Sequence, residues 1–509
     1  MKRILLLTLA LCVGFLGFSQ ELAPVSKDVK DISVIREYKV PIDPIPPMVN
    51  YNQVPSGELK SAKMLGTETE IIETVYDLQT NSNLSNRIWV WDDGTIAAVA
   101  TRGVEQPSGF AFPDRGTGYN YFDGSAWGPK PSARIESMKT GWPSIAAWGE
   151  NGEIVSAHVS GTTPLQFSKR ATKGVGAWEE FTYDGPDDDH WYLWPRLTSG
   201  GENNEIMHLI ALTAPTGNGG QVYQGQDGAL LYSRSQDGGE SWDIQHELID
   251  GIGEDYYLAI SADDYVITAK DNIVAFAICS PWYDFAMFKS TDNGDTWEKT
   301  VVWEHPYPFF DLEEDLMSDT LWAVDGSSDI AIDDNGNVHL VWGVGRVARL
   351  EASPPDPGFY SYWPYTDGVG YWNETMGAPI PEADNPHHTM MDTYLEEIGM
   401  LAGWSQDVNG SGIRLDFEGT GDPAFATYRT VGVSTMPQLA INGNWIMLVY
   451  SSTTETFVTA DGALNYKHIW ARSSYDLGQT WNPDFYDLQA ENIFHLYDEC
   501  IYPVIAKNP

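Results

Sequence analysis

Basic residues are scarce in this chain of 509 residues. It contains 29 Lys and Arg against 72 Asp and Glu, which gives a formal net charge of −43. A surface this acidic repels the phosphates of nucleic acids instead of releasing their counterions, and it repels anionic membranes for the same reason. DNA and RNA are therefore excluded as partners.

Cysteines and long apolar runs are scarce as well. Met1–Ser19 has the features of a secretory signal peptide: Lys2 and Arg3, an apolar run, and small residues for cleavage near Ser19. Only two cysteines follow it, so disulfides cannot hold a chain of this size together. No later apolar stretch is long enough to span a bilayer. The sequence predicts a secreted or cell-surface protein without a transmembrane segment after cleavage.

Apolar and aromatic residues, in contrast, are abundant. The chain is 42% hydrophobic and contains 20 Trp, which is enough to bury a large core. Residues 20–64 include Pro41, Pro44, Pro46 and Pro47 and have no periodicity, so we predict an extended leader there. Residues 65–509 form the predicted folded domain.

One octapeptide pattern, S-x-D-x-G-x-[ST]-W, occurs three times, at Ser235–Trp242, Ser290–Trp297 and Ser474–Trp481. It predicts a tight turn in which the Asp carboxylate accepts backbone N–H groups, Gly adopts positive φ and Trp packs inward. The residues with these structural roles are Asp237, Gly239, Trp242, Asp292, Gly294, Trp297, Asp476, Gly478 and Trp481.

These octapeptides resemble the Asp-box, or BNR repeat, of the sialidase-like β-propeller superfamily. The resemblance covers about Arg87 to the C-terminus, and it implies the fold more securely than any activity.

A second repeat supports a propeller. It consists of an apolar strand that contains a Pro, then a turn and a second strand, and it is clearest at Trp142–Ala146 and Met436–Ala440. Weaker copies begin near Arg87, Trp194, Tyr265 and Asp329. With an octapeptide turn between the third and fourth strands, each repeat makes one four-stranded antiparallel blade. We predict an all-β propeller with six complete blades.

The last residues repeat the opening of a blade at Tyr502–Ala506. A strand without a partner would leave an exposed edge. We therefore expect a seventh blade that is either begun there or completed by the N-terminal segment Glu70–Leu78.

The fifth blade carries a predicted insertion at about residues 344–432, which leaves the second strand at Trp342 and is expected to lie over the channel mouth. Asn385 as N-cap and the apolar spacing that follows predict a helix ending near Gly403. His387 and His388 at its start are expected to face solvent. The preceding aromatic loop, which includes Trp363 and Trp372, is either a sugar platform or packing for the loop.

Strand direction indicates which face binds ligands. The octapeptide turns share one face with the turns between first and second strands, so the long loops around the central channel share the other. Three of these loops are acidic or aromatic, at Asp187–Trp191, Glu254–Tyr257 and Asp311–Asp325 (Asp311, Glu313, Glu314, Asp315 and Asp325). Paired carboxylates can cleave glycosides, and aromatic rings stack on sugars.

From these loops we take Asp189, Asp255, Tyr256 and Asp311 as candidate catalytic residues. The candidates for substrate binding are Arg87, Arg196, His190, Trp191, Trp363 and Trp372. No metal or cofactor is assigned; calcium at Asp187–Asp189 is an alternative, although the regular spacing of a calcium loop is absent.

The resemblance to sialidases also implies three arginines that clamp a carboxylate, an Asp acid/base and a Tyr–Glu nucleophile pair. Arg87, followed by Ile88, occupies the position of the family's first clamp arginine, but Trp89 replaces the family's Pro. No arginine occurs from Gln236 to Gly345. The clamp is therefore not recognisable, with Arg196, Arg346 and Arg349 as candidates for a rearranged anion site.

Two functions stay open at this point. The first is a secreted propeller that binds, or binds and hydrolyses, glycans through its acidic and aromatic loop face. The second is a non-catalytic extracellular scaffold or adhesion propeller that binds protein partners.

Overall fold

The computed structural model describes most of the chain. The described residues are 22–27, 29–37, 68–84, 86–105, 112–159, 161, 164–307, 309–312, 314–315, 317–350, 358–417, 432–458, 465–489 and 499–507. The signal peptide, residues 38–64 of the leader and Glu313 lie outside them, so the predictions made for these residues stay predictions.

Strands make up nearly all of the regular structure. The leader contributes β1 (Val34–Glu37), and the first blade contains β2 (Ile88–Val90), β3 (Ile96–Arg102) and β4 (Gly116–Phe122). The second blade contains β5 (Thr140–Trp148), β6 (Gly152–Val159), β7 (Leu165–Arg170) and β8 (Glu179–Tyr183). The third blade contains β9 (Tyr192–Gly200), β10 (Ile206–Thr213), a 3-10 helix (Thr216–Asn218), β11 (Leu230–Ser235) and β12 (Ile244–Glu247).

The second half of the chain continues this pattern. The fourth blade contains β13 (Tyr265–Lys270), β14 (Ile273–Ile278), β15 (Phe285–Ser290) and β16 (Glu298–Trp303). The sheet of the fifth blade contains β17 (Leu321–Ile332), β18 (Val338–Ala348), β19 (Phe359–Tyr362), β20 (Val369–Asn373) and β21 (Leu401–Gly403). The sixth blade contains β22 (Ser434–Asn442), β23 (Trp445–Val458), β24 (Asn465–Ser474) and β25 (Tyr486–Asp487).

These strands form six separate antiparallel sheets. The first strands of neighbouring blades contact one another and so surround the centre of the molecule. The prediction of an all-β, six-bladed propeller is confirmed. The first blade has three strands, and β1 from the leader extends the fifth sheet by pairing with β19. Within the described ranges, no helix has the length and apolar character needed to cross a membrane.

The three octapeptide turns share one hydrogen-bond network. In the first turn, Asp237 Oδ1 accepts from the Ser241 backbone N–H at 2.8 Å and from Ser235 Oγ at 2.9 Å, and Ser235 Oγ accepts from Gly239 N–H at 2.8 Å. Asp292 and Asp476 accept the equivalent bonds in the other two turns. The glycines have φ of 81–87°, so the predicted turn geometry is confirmed at all three sites.

Each octapeptide turn also contacts the preceding blade. The Trp242 ring lies 4.1 Å from the Tyr183 ring, and Trp297 and Trp481 lie 5.0 and 5.2 Å from Tyr232 and Tyr371. A Cβ at Gly294 would lie 2.0 Å from Tyr232 Oη. Only glycine allows the turn to approach the neighbouring blade this closely.

The second repeat forms a β-bulge in the innermost strand. Trp142, Trp194 and Met436, each followed by Pro, have φ of 53°, 47° and 51°. The pairing register shifts at these sites in β5, β9 and β22. Proline has no N–H to donate, so a bulge is a position where a strand tolerates it. The bulge buries the Trp142 and Trp194 rings completely.

An N-terminal segment, Thr80–Leu84, is buried and bonds to the innermost strands of the third and fifth blades and to the entry of the fourth. The Asn83 backbone N–H donates to Asp263 O at 3.0 Å, and Asn83 Oδ1 accepts from the Ser328 backbone N–H. This segment therefore links the entry of β13 to β17, the first strands of the neighbouring fourth and fifth blades. We call it the central plug.

The predicted seventh blade is wrong for the described residues, which form six sheets. Residues 499–507 contain no strand; Lys507 O accepts from Ile441 N–H at 3.0 Å, and Lys507 Nζ pairs with Asp329. Glu70–Leu78 also forms no strand and lies beside the first blade, where Val75 N–H donates to Gly103 O. Contacts of this kind with the first and sixth blades take the place of a further sheet.

The predicted insertion at 344–432 needs correction, although the extra chain does lie in the fifth blade. β18 continues past Trp342, and β20 and β21 fall inside the predicted bounds. Within the described residues, the chain between β18 and β22 is interrupted by β19, β20 and β21, so the predicted bounds do not enclose one continuous loop.

The helical part of the insertion lies between β20 and β21. It contains 3-10 helices at Glu374–Met376 and Pro386–His388 and the α-helix α1 (Asp392–Glu397). Asn385 caps the second 3-10 helix by accepting from His387 N–H, as predicted. The helix does not reach Gly403, because Gly399 turns with φ of 74° and Leu401–Gly403 pairs with β20.

A buried ion pair holds the central plug in place. Arg196 Nη2 lies 2.5 Å from Asp263 Oδ1, and both side chains are buried. Asp263 Oδ2 also accepts from Asn81 N–H at 2.8 Å and from Trp142 Nε1–H at 2.9 Å. A carboxylate buried this deeply is stable only because its hydrogen bonds and charge are satisfied.

We predict unequal effects for two adjacent aspartates at this site. Asp263→Asn leaves Arg196 as an uncompensated buried charge and lowers the free energy of unfolding by about 3–5 kcal/mol. Asp264→Asn costs less than about 1 kcal/mol, because burial raises the pKa of Asp264 to about 8 and the group is already largely protonated at pH 7. Equilibrium unfolding in urea at pH 7 compares the two; equal losses would contradict this account.

Candidate functional site

Three loops on the face opposite the octapeptide turns surround a cavity of about 370 Å³, which we call the His305 cavity. The loops are the β12–β13, β14–β15 and β16–β17 connections. The cavity is lined by Asp255, Tyr256, Tyr283, Asp284, His305, Tyr307 and Phe309. The cavity therefore lies beside the fourth blade and not on the axis of the ring.

The β12–β13 loop supplies Asp255 and Tyr256. Buried Gln226 anchors this loop by donating from Nε2 to Ile252 O at 2.8 Å and to Tyr257 O at 2.6 Å. Tyr256 N–H closes the turn on Gly253 O at 2.9 Å. The anchored turn leaves the Tyr256 side chain 47% exposed beside the cavity, where a ligand can reach it.

The β14–β15 loop supplies Tyr283 and Asp284. The His305 backbone N–H donates to Asp284 Oδ1 at 2.8 Å, and Tyr257 Oη donates to Asp284 O at 3.3 Å. Both neighbouring loops thus hold Asp284 in place. One of its carboxylate oxygens is used in this way, which fixes the orientation of the other.

His305 joins the loops by hydrogen bonds and is itself only 4% exposed. Its Nε2 lies 3.2 Å from Pro281 O, and its Nδ1 lies 2.8 Å from Tyr307 O and 3.1 Å from Tyr307 N. A neutral imidazole with Nε2–H as donor and Nδ1 as acceptor bonds to Pro281 O and to the Tyr307 N–H but does not donate to Tyr307 O. Burial lowers the pKa of His305 to about 4, so it positions the loops and does not exchange protons near neutral pH.

The outer rim of the cavity is aromatic. The Tyr307 ring stacks on His387 at 5.2 Å, and Tyr307 Oη accepts from Asp319 N–H at 3.0 Å. His387 is therefore a packing partner of the rim, which corrects the prediction that it faces solvent. Phe309 is 49% exposed and has φ of 62°, a conformation that is rare for a bulky residue and that recurs at functional sites.

A second, larger cavity of about 610 Å³ lies between the leader and the fifth blade. Its innermost charged groups are paired with one another. Arg414 bonds to Asp367, and its Nη2 lies 3.2 Å from Asp392 Oδ2. Arg414 Nε also donates to Ala23 O at 2.7 Å, so this network ties the leader to the blade.

The solved structures compared with this chain are similar to it at low sequence identity. No protein-family model matches the chain, and no curated protein matches it. A Trypanosoma rangeli sialidase in complex with the inhibitor DANA aligns at 12% identity and a TM-score of 0.36, over 74% of this chain and 54% of the sialidase. This chain thus spans about half of the length of that sialidase.

Two further neighbours also act on glycans. An ulvan lyase of a polysaccharide lyase family aligns at 10% identity and a TM-score of 0.38, over 80% of this chain and 86% of the lyase. A mutant α-L-arabinofuranosidase from Fusarium graminearum, bound to an iminosugar inhibitor, aligns at 11% identity and a TM-score of 0.34. The alignment covers 76% of this chain and 92% of that enzyme. At these values the likeness assigns no activity to this chain.

Two of the four candidate catalytic residues, Asp255 and Tyr256, line the His305 cavity. Asp311 does not line the cavity, but it lies in the β16–β17 connection, which contributes His305, Tyr307 and Phe309 to the lining. Asp311 N–H donates to Asp315 Oδ2 at 2.9 Å. No structural observation tests a catalytic role for any of the four.

The Asp189 loop lies on the same face and is held by His190, which contacts both this loop and the β10–β11 connection. His190 Nδ1 lies 2.6 Å from Asp187 Oδ1, and His190 Nε2 lies 3.2 Å from Val222 O. Trp191 packs against the main core. In the part of the chain that is described, no three acidic, His or Cys side chains are grouped closely enough for a metal. A ligand or calcium at Asp187–Asp189 stays a prediction.

The candidate binding residues Arg87, Arg196, Trp363 and Trp372 are all buried. Arg196 pairs with Asp263, and Arg87 Nη2 donates to Gln79 O at 2.6 Å next to the plug. Trp372 Nε1 donates to Gly377 O at 2.6 Å. Arg346 stacks on Trp363, 4.4 Å from its ring. Burial favours the packing alternative for the aromatic loop and leaves the two arginines inaccessible to a ligand in this structure.

Sequence reasoning missed Tyr283, Asp284, His305, Tyr307 and Phe309. A usable signal was present in His305–Phe310, where three aromatic residues and His305 alternate with prolines directly after a predicted strand. Asp284 had no such signal, because its position depends on the backbone of another loop.

The low pKa of His305 predicts a pH effect on stability. Between pH 6.5 and 4 the unfolded chain binds a proton at this residue and the folded chain does not, so stability falls by about 3 kcal/mol as the pH drops through this range. In an NMR titration, the His305 ring signal, assigned by its absence in His305→Gln, should stay constant from pH 8 to about 5. A midpoint near pH 6.5 would contradict the assigned role.

Proposed function

We propose that this protein binds glycans in the His305 cavity. The observation that carries the proposal is the pair of exposed aromatic side chains, Tyr256 and Phe309, on the rim of an acidic, concave site. Sugars offer apolar C–H faces that stack on such rings and hydroxyl groups that donate to carboxylates. Asp255 and Asp284 supply those acceptors inside the cavity.

The shape of the site favours a glycan over a protein partner. A cavity of about 370 Å³ bordered by three loops has room for a sugar unit, whereas protein interfaces are broader and flatter. The loops are held by Gln226 and by His305, so the cavity is largely formed before a ligand arrives. An extracellular protein partner is the second outcome that a binding experiment would detect.

Hydrolysis would use the same two carboxylates as acid and as base or nucleophile. His305 does not contribute a proton, because its ring nitrogens are bonded to backbone atoms. We therefore limit the proposal to binding, and the release of reducing ends is measured in the same experiment.

We also propose that this binding takes place outside the cell, at the cell surface or after secretion. The support is the signal sequence at Met1–Ser19 and the acidic composition of the whole chain.

Removal of either rim aromatic should weaken glycan binding about tenfold, because a ring stacked on a sugar contributes on the order of 1 kcal/mol beyond its buried area. A glycan array and titration calorimetry would compare Tyr256→Ala and Phe309→Ala with Tyr475→Ala. Tyr475 is 70% exposed in an octapeptide turn on the opposite face, so its loss should change nothing. Equal binding by all three variants would refute the proposed site.

A further inference from the structure

The charges around the His305 cavity narrow the class of sugar that it can bind, on the assumption that the proposed function holds. Two carboxylates, Asp255 and Asp284, line the cavity itself. The flanking loops add Asp250 and Glu254 on one side and Asp311, Glu314, Asp315 and Asp319 on the other. Negative charge therefore surrounds the opening.

Among the residues that the structure describes, no Lys or Arg lines this cavity. Lys299 lies behind the β12–β13 loop, where its Nζ donates to Gly251 O at 2.8 Å and lies 4.0 Å from the Tyr256 ring. His387 covers the Tyr307 ring from the outside, and His305 is bonded on both sides to the backbone. The two histidines offer no counter-charge to an acidic sugar inside the cavity. Lys299 is the one ammonium close to the described lining, and its charge already interacts with the carboxylates of Asp284 and Asp250.

An anionic sugar would bring a third negative charge into this partly enclosed space. Coulomb repulsion is strong there, because the surrounding protein screens charges less than bulk water does. A cationic sugar gains from the same field, and a hydrogen bond from an ammonium to a carboxylate is among the stronger ones in proteins. The electric field of these carboxylates thus favours cationic sugars over anionic ones.

We infer that the His305 cavity binds glycans that contain unacetylated amino sugars. The ammonium group bonds to the carboxylates of Asp255 and Asp284, and the ring of the sugar stacks on Tyr256 and Phe309. Neutral sugars bind by stacking and hydroxyl contacts alone. Uronic and sialic acids are rejected.

Three tetrasaccharides with the same linkage test this inference: glucosamine, N-acetylglucosamine and galacturonic acid. Calorimetry at about pH 5.5 keeps the amines protonated. We expect glucosamine to bind about tenfold more tightly than N-acetylglucosamine, and galacturonic acid not to bind. The preference should shrink at high salt, because the rim charges are exposed to solvent.

Two isosteric variants test whether the preference for glucosamine arises from the two carboxylates of the cavity. Asp255→Asn and Asp284→Asn should each remove most of the preference for glucosamine, measured as the ratio of its affinity to that of N-acetylglucosamine in the same variant. The Asp284→Asn change keeps a side-chain oxygen that can accept from the backbone N–H of His305, so the β14–β15 loop should keep its conformation. Glu202→Gln makes the same charge change in the exposed β9–β10 turn on the opposite face and should preserve the preference.

The outcomes separate this inference from the proposed function. Binding of N-acetylglucosamine that depends on Tyr256, without a preference for glucosamine, would retain the site and overturn the amino-sugar inference. A preference that survives both Asp variants or disappears in Glu202→Gln would also overturn it, since it would reflect the net charge of the protein. Failure of all three sugars to bind would refute the proposed function itself.

Discussion

The carboxylate of each octapeptide turn is the constraint on which the rest of the structure depends. Asp237, Asp292 and Asp476 each hold a tight turn through hydroxyl and backbone bonds. The closed turn brings a Trp and a Gly against a ring of the preceding blade, so a local hydrogen-bond network becomes a contact between sheets. The turns on one face of the propeller thereby stabilise the packing between blades, and the loops on the other face are available to bind ligands.

The centre of the ring belongs to stability as well. Thr80–Leu84 is buried there, and the buried pair of Arg196 and Asp263 fastens that segment to the inner strands. Ligand binding in closed β architectures often uses the central channel. The His305 cavity instead lies beside the fourth blade, where three loops of that blade and its neighbours meet.

The repeats made most of the fold predictable, because each blade carries its own local signals. The pattern at Ser290–Trp297 predicts a turn within eight residues. Because such turns lie on one face of the propeller, they also indicate that the long loops lie on the opposite face. Asp255 and Tyr256 could be selected on that basis, since an acidic and aromatic loop on the correct face needs no knowledge of distant contacts.

Features that depend on distant contacts could not be predicted. Asn81 meets Asp263 across 182 residues, so nothing near either residue shows that Arg196 is an internal ion-pair partner. β21 has three residues and was hidden within the apolar spacing taken for a helix. The aromatic and proline-containing segment His305–Phe310 gives a local signal, but the low pKa of His305 follows from burial, which depends on contacts with another loop.

The central claim is that ligands bind beside the fourth blade and not in the channel. Hydrogen–deuterium exchange with and without a bound tetrasaccharide tests it most directly. The account predicts new protection at the amides of Gly253–Tyr257 and at His305, Tyr307 and Phe309, with none at Thr80–Leu84. Protection confined to Thr80–Leu84 and the inner strands would contradict it.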